Sequence, residues 1–145
     1  MAIRVKKIEL WRCEVENRPG ALASVLEGLA KAGADLLVVM GYRYPGVEPK
    51  AAVELYPVTT KKAAAAAQAA GLTASGIPTL LVEGDNRPGL GHAVTAAIAG
   101  AGINLAFLVT QVIGRKYSSV IGFEREEDAK AALPILRKAA AARKK

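Results

Sequence analysis

Asn17-Arg18-Pro19-Gly20 and Asn86-Arg87-Pro88-Gly89 are the same four residues, met twice in a chain of 145. Each copy follows an apolar stretch and precedes an amphipathic one. The prolines lie 88 − 19 = 69 residues apart, and landmarks beyond the turn keep that register: Val25 with Val94, Gly33 with Gly102, Asp35 with Asn104, Leu36 with Leu105. A register held through a turn, a helix and the start of the next strand marks one folding unit duplicated.

Working outward from the first turn, Ile8 to Glu16 alternates, with Trp11, Cys13 and Val15 on one face, as a half-buried strand does. After the turn, Ala21, Leu22, Val25, Leu26, Leu29 and Ala30 recur at helical spacing, and Gly33 ends that helix as a left-handed cap. Strands are expected over 34–42 and 51–56, with a loop beginning at Tyr44-Pro45-Gly46. An alanine-rich helix over about 60–70, closed by Gly71, precedes a fourth strand within 72–77. The second copy repeats the plan: strand 79–83, turn, helix 90–101, cap at Gly102, strand 104–113, a tight turn at Gly114-Arg115-Lys116 and strand 118–123. A last helix starts near Glu126, Glu127 and Asp128, whose charges suit its N-terminal dipole, and Pro134 should kink or divide it. Residues 139–145 show no alternation, so the second unit is expected to lack its last strand.

These elements predict an α+β protein of two tandem ferredoxin-like βαββαβ units, each an antiparallel sheet with helices on one face. The expected boundaries are 1–77 and 78–145, with Pro78 marking the handover. Each half, at about 70 residues, is near the lower limit for burying its own core, which favours a fused pair.

Composition narrows the function classes. Cys13 is the single cysteine and His92 the single histidine, so neither an internal disulfide nor a Cys/His metal cluster is expected. No stretch approaches a membrane span, and the charged first fourteen residues carry no signal-peptide core, so a soluble, cytoplasmic protein is expected. The net charge is +7, but nine of the twenty basic residues lie at the two ends and aromatic residues make up only 5%. That combination argues against specific nucleic-acid binding. Ser118 and Ser119 have no base nearby in the pattern, and the glycines at 84, 89 and 91 lack the lysine-serine/threonine pair of a phosphate loop. No catalytic residue or cofactor is expected. Cys13 reads as a buried inert thiol, and His92 as either a lining residue of a ligand site or a surface side chain.

The repeated turn is the candidate site. Backbone N–H groups at a helix start lack intrahelical partners and, with the helix dipole, suit a carboxylate. Gly20 and Gly89 let a ligand approach the main chain, and Asn17 and Asn86 offer both a donor and an acceptor. Asp35 and Asn104 open the next strand fifteen residues past the glycine in both copies (35 − 20 and 104 − 89), where an acceptor can hold an ammonium group. The same turns also read as ordinary turn and N-cap chemistry.

Glu16-Asn17-Arg18-Pro19-Gly20-Ala21-Leu22 with Ala32-Gly33-Ala34-Asp35-Leu36, and Asp85-Asn86-Arg87-Pro88-Gly89-Leu90-Gly91 with Ala101-Gly102-Ile103-Asn104-Leu105, resemble the ACT domain, the βαββαβ regulatory module of amino-acid metabolism. The second set is similar to the serine-binding module of phosphoglycerate dehydrogenase. The resemblance implies ligand contacts at Asn86 and Asn104, a floor of Gly89, Leu90 and Gly91, and matching positions Asn17, Gly20 and Ala21, with Asp35 in place of the usual asparagine. It further implies a non-enzymatic, free-standing sensor or allosteric regulator that binds a small amino acid at the turn or module interface. A homodimer and a protein partner among metabolic enzymes or regulators are implied as well. The alternative is an interaction protein that kept the fold and lost the ligand.

Overall fold

A computed structural model describes residues 3–44 and 46–141, the Glu48 side chain excepted. The proline of the expected 44–46 loop and residues 142–145 of the tail therefore lie outside the described residues. In chain order the elements are β1 (Arg4–Ile8), β2 (Trp11–Glu16), α1 (Ala21–Lys31), β3 (Val38–Tyr44), β4 (Val47–Tyr56), α2 (Lys61–Ala69), β5 (Thr73–Ala74), β6 (Thr79–Asp85), α3 (Leu90–Gly100), β7 (Leu105–Ile113), β8 (Lys116–Phe123) and α4 (Glu126–Ala141).

They form two compact units. The first repeat, residues 9–76, carries a four-stranded sheet in the order β3-β4-β2-β5, with every pairing antiparallel. The second comprises residues 77–145 together with 1–8, and its sheet runs β1-β6-β8-β7, again antiparallel throughout. Both are ferredoxin-like sandwiches, and the 69-residue register reappears in three dimensions. Val25 and Leu29 of α1 pack on Cys13, Val53 and Leu55; Val94 and Ile98 of α3, in the same register, pack with Leu80, Val82, Ile121 and Phe123.

The N-terminal segment departs from expectation. The alternation from Ile8 does not belong to one strand: it breaks at Glu9-Leu10, and β1 pairs with β6 from Arg4 opposite Glu83 to Ile8 opposite Thr79. Among the described residues the second repeat makes no fourth strand after α4, as its sequence implied, and β1 takes that place against β6 just as β5 does against β2. The domain limits of 1–77 and 78–145 therefore differ from the observed division at residues 1–8 and at Ile77. The physical reason is that β6 would otherwise present an unpaired row of N–H and C=O groups. Val5 and Ile3 also pack on the second repeat's core.

Smaller differences follow from local chemistry. Strand β4 begins four residues earlier than expected, and β5 is only two residues long. Pro134 does not divide the last helix, which runs continuously over sixteen residues. Its buried Ala129, Ala132 and Leu136 hold that helix on the core across the missing hydrogen bond. Helix α2 needs less support, because Thr60 caps it by accepting from the Ala63 amide at 3.0 Å.

Candidate functional site

Gly20 and Gly89 are the N-caps of α1 and α3, both in the left-handed region with φ of 86° and 80°. Neither helix has a side-chain cap. Asn17 and Asn86, which could have served as caps by residue type, are instead held by their own backbones. The Asn86 amide donates to the Arg115 carbonyl at 2.8 Å, and the Asn17 amide to the Pro49 carbonyl at 3.0 Å. The Ala21 and Leu90 amides donate within the turn, to the Arg18 and Arg87 carbonyls at 3.3 and 3.2 Å, and the lack of a side-chain cap keeps the next first-turn N–H groups available to an external anion.

The second turn is tied down on two sides. Besides the Asn86–Arg115 bond, the Arg87 guanidinium donates to the Ala139 carbonyl at 3.0 Å, near the C-terminal end of α4 where carbonyls lack helical donors. Just before the turn, Lys116 hydrogen-bonds to Asp85 and holds its carboxyl below the usual carboxylate range. The turn is thus a positioned feature of the second repeat.

Beneath it lies a cavity of about 60 Å³, counted as space open to the centre of a water molecule. Asn86, Leu90 and Gly91 line its turn side, while Leu108 and Thr110 come from β7 and Ser119 from β8. Tyr117 also borders it; burial pushes its phenol up from the ordinary tyrosine value, partly offset by the charge of Arg87, and the hydroxyl has no hydrogen-bond partner. The first repeat has a wider, shallower depression of about 250 Å³ at its own turn, touched by Asn17, Ala21, Leu22, Tyr42 and Arg43.

Within one repeat, the remaining expected residues are not brought to these places. Asn104 precedes β7, whose first residue pairs with Phe123, whereas Asn86 follows Asp85, which pairs with Lys116 at the other end of β8. The Asn104 amide donates to Glu124 at 2.6 Å. Helix α3 explains the separation: its eleven residues carry the chain back about 16 Å along the sheet. Asp35 is displaced likewise, since the Leu37 amide bonds Tyr56 while Asn17 sits by Pro49, at opposite ends of β4. A single-repeat clamp holding carboxylate at the turn and ammonium at residue 35 or 104 is therefore not assembled. Gly20 and Gly89 form the turns without lining either hollow. His92 is exposed and does not line the cavity.

Sequence reasoning missed two features. Thr110 and Ser119 share a hydroxyl hydrogen bond of 2.8 Å in the cavity wall, a pairing legible only once β7 and β8 are in register. In the first repeat, Tyr42 donates to Glu54 at 2.7 Å, and Glu54 is 2% exposed with its second carboxylate oxygen unpartnered. Both are mid-strand residues whose partners no local motif announces. Cys13 is buried, as expected, and burial pushes its thiol up.

No family model matches the chain, and no curated protein matches it in sequence. Solved structures do. Protein BT0572 from Bacteroides thetaiotaomicron aligns with a TM-score of 0.73 at 16% identity, covering 90% of this chain and 88% of its own. The regulatory subunit of aspartate kinase from Thermus thermophilus aligns at 0.64 and 18% identity over 96% of this chain and 97% of its own. The corresponding subunit from Thermus flavus gives 0.62 and 18%, with 97% of each chain covered. The chain shares the fold of these proteins over nearly its whole length, in keeping with the ACT resemblance of its repeated turns.

Proposed function

We propose that this chain is a regulatory, non-catalytic protein of the cytoplasm that binds a small free amino acid at the Asn86–Gly91 turn of its second repeat. The observation that carries the reading is the uncapped α3 N-terminus set directly above a cavity. In this reading the first-turn amides hold the ligand carboxylate and the Asn86 side chain supplies a donor or acceptor at the mouth. Asn104 joins the site only when a second copy of the chain brings it to the turn, in keeping with the interface sites that the ACT resemblance implies. The aspartate kinase regulatory subunits that share the fold support a regulatory role.

Bound ligand changes an output only by favouring one of two states. Strand β7 supplies the cavity wall and is also an edge of the sheet, so occupancy and homodimer pairing are coupled through it, and a partner enzyme or regulator senses the result. The alternative, a ligand-free interaction module, fits the first repeat: there Leu22 occupies the corresponding space against Gly41. Thermal-shift measurements of the purified chain against the proteinogenic amino acids test the proposal. A ligand at 100 times its dissociation constant stabilises by about 2.7 kcal/mol. Absence of a shift with every amino acid at millimolar concentration sinks it.

A further inference from the structure

The two repeats differ at one place that the 69-residue register makes comparable. Leu22 of α1 corresponds to Gly91 of α3 (22 + 69), and Gly41 of β3 to Thr110 of β7 (41 + 69). In the first repeat the Leu22 side chain lies over Gly41 so closely that a Cβ on that glycine would sit 3.3 Å from a Leu22 methyl. In the second, a Cβ on Gly91 would meet nothing within 4 Å. Glycine in place of leucine removes the side chain that covers this spot in the first repeat, and the cavity is bordered by Gly91 on the helix side and Thr110 on the strand side. Gly91 has no left-handed backbone angle to explain it, since Gly89 takes that role in the turn.

The wall chemistry states what the hollow accepts. Val82, Val94, Leu108, Ile121 and Leu136 supply most of the surface. Thr110 is bonded to Ser119 at 2.8 Å and Thr95 donates to the Gly91 carbonyl at 2.8 Å, which leaves Tyr117 as the lining hydroxyl without a partner. An apolar group entering therefore breaks neither bond, whereas a polar one has, among the lining hydroxyls, only that of Tyr117 to pair with unless it breaks one of them. The space, about 60 Å³ where one water needs roughly 10–15 Å³, holds about four to six heavy atoms, fewer than the seven carbons of a benzyl side chain. That fits a branched aliphatic side chain and excludes an aromatic ring.

We propose that this cavity is the side-chain pocket of the ligand site, that it selects a small branched aliphatic amino acid, and that Gly91 is the residue that opens it. The inference rests on the turn of the second repeat being the binding site, and it names the ligand class.

The test is titration calorimetry of the full chain with glycine, alanine, valine, leucine and phenylalanine, repeated on Gly91→Leu and Gly91→Ala. Burying each further carbon strengthens binding about fourfold, so affinity should rise by roughly tenfold or more from alanine to valine and collapse for phenylalanine. Gly91→Leu should remove most of the valine affinity while leaving a folded protein, because it restores the first repeat's residue. Gly91→Ala, which adds one methyl and guards against a misfolded leucine variant, should weaken leucine more than alanine. Affinity that is flat across the series, or valine binding unchanged in both variants, overturns the inference and leaves the proposed function standing with its ligand seated elsewhere. No binding of any amino acid to the unaltered chain removes both.

Discussion

Gly89 sits at φ 80° with open space where a side chain would begin. A β-branched residue there is strained by the backbone alone and covers the amides behind it. Gly89→Val should therefore abolish amino-acid binding measured by calorimetry, and lower the melting temperature, while Gly20→Val lowers the melting temperature without touching affinity. Tyr117 makes the opposite case. Its buried hydroxyl lacks a partner, and such a group costs about 1–3 kcal/mol; Tyr117→Phe should be neutral or stabilising in urea unfolding at neutral pH. Its phenol is raised by burial, so the protonated form is the one the fold favours. The stability linked to it is complete below the unfolded tyrosine pKa and is lost as pH climbs through the raised folded one. Unaltered protein should thus lose more stability above about pH 10 than Tyr117→Phe does. Asn17, Asn86, Gly20 and Gly89 were all legible from the sequence as turn residues. The distance between Asn86 and Asn104 was not, because equal spacing in the chain says nothing of the helix that carries the second residue to the far end of the sheet.

Among the elements, β1 tests the account most directly. Within the strand only Val5 and Ile8 are apolar, set among Arg4, Lys6 and Lys7, and five residues with an uneven spacing of that kind give no periodic signal. Its pairing partner, β6, is by contrast nearly all buried and easy to read. The tie is reinforced by an ion pair from Lys7 to Glu126 at the start of α4, an exposed contact of small worth. Val5→Asp, which drives a charge toward the second core, should cost roughly 2 kcal/mol. Hydrogen exchange should report it as lost protection in Thr79–Asp85 with the amides of β2 and β4 unchanged. Equal loss in both sheets contradicts the division into two units. The alanine helix and the amphipathic helices were recognisable because their apolar spacing is long and regular; the short strands were not.

For the whole molecule, the exposed edges decide assembly. Strand β1 guards its edge with Arg4, Lys6 and Lys7, a recognised defence against further pairing. Strand β7, the opposite edge, has nine residues without a charge, and Val109, Val112 and Ile113 are 47%, 48% and 72% exposed. An uncharged, apolar edge of that length is suited to a second copy. Light scattering at micromolar concentration should give a dimer mass, and the pair Val109→Lys and Val112→Lys should give a monomer with unchanged circular dichroism. A monomer before the substitutions would count against dimerisation. Among the described residues no helix is long and apolar enough to cross a membrane.

The threading of β1 has a consequence in time. During synthesis Arg4–Ile8 emerges well before its partner, which begins only at Thr79, 79 − 8 = 71 residues later. Everything needed to close the first repeat is made in that interval, since residues 9–76 are continuous. The first repeat can therefore fold while still attached to the ribosome, as leading domains commonly do. The second repeat must wait for β8 and α4, and its opening strand spends the interval as an unpaired basic segment. In the order of the chain, one repeat is an insertion inside the other, and the second is completed when β1 reaches across that insertion to β6.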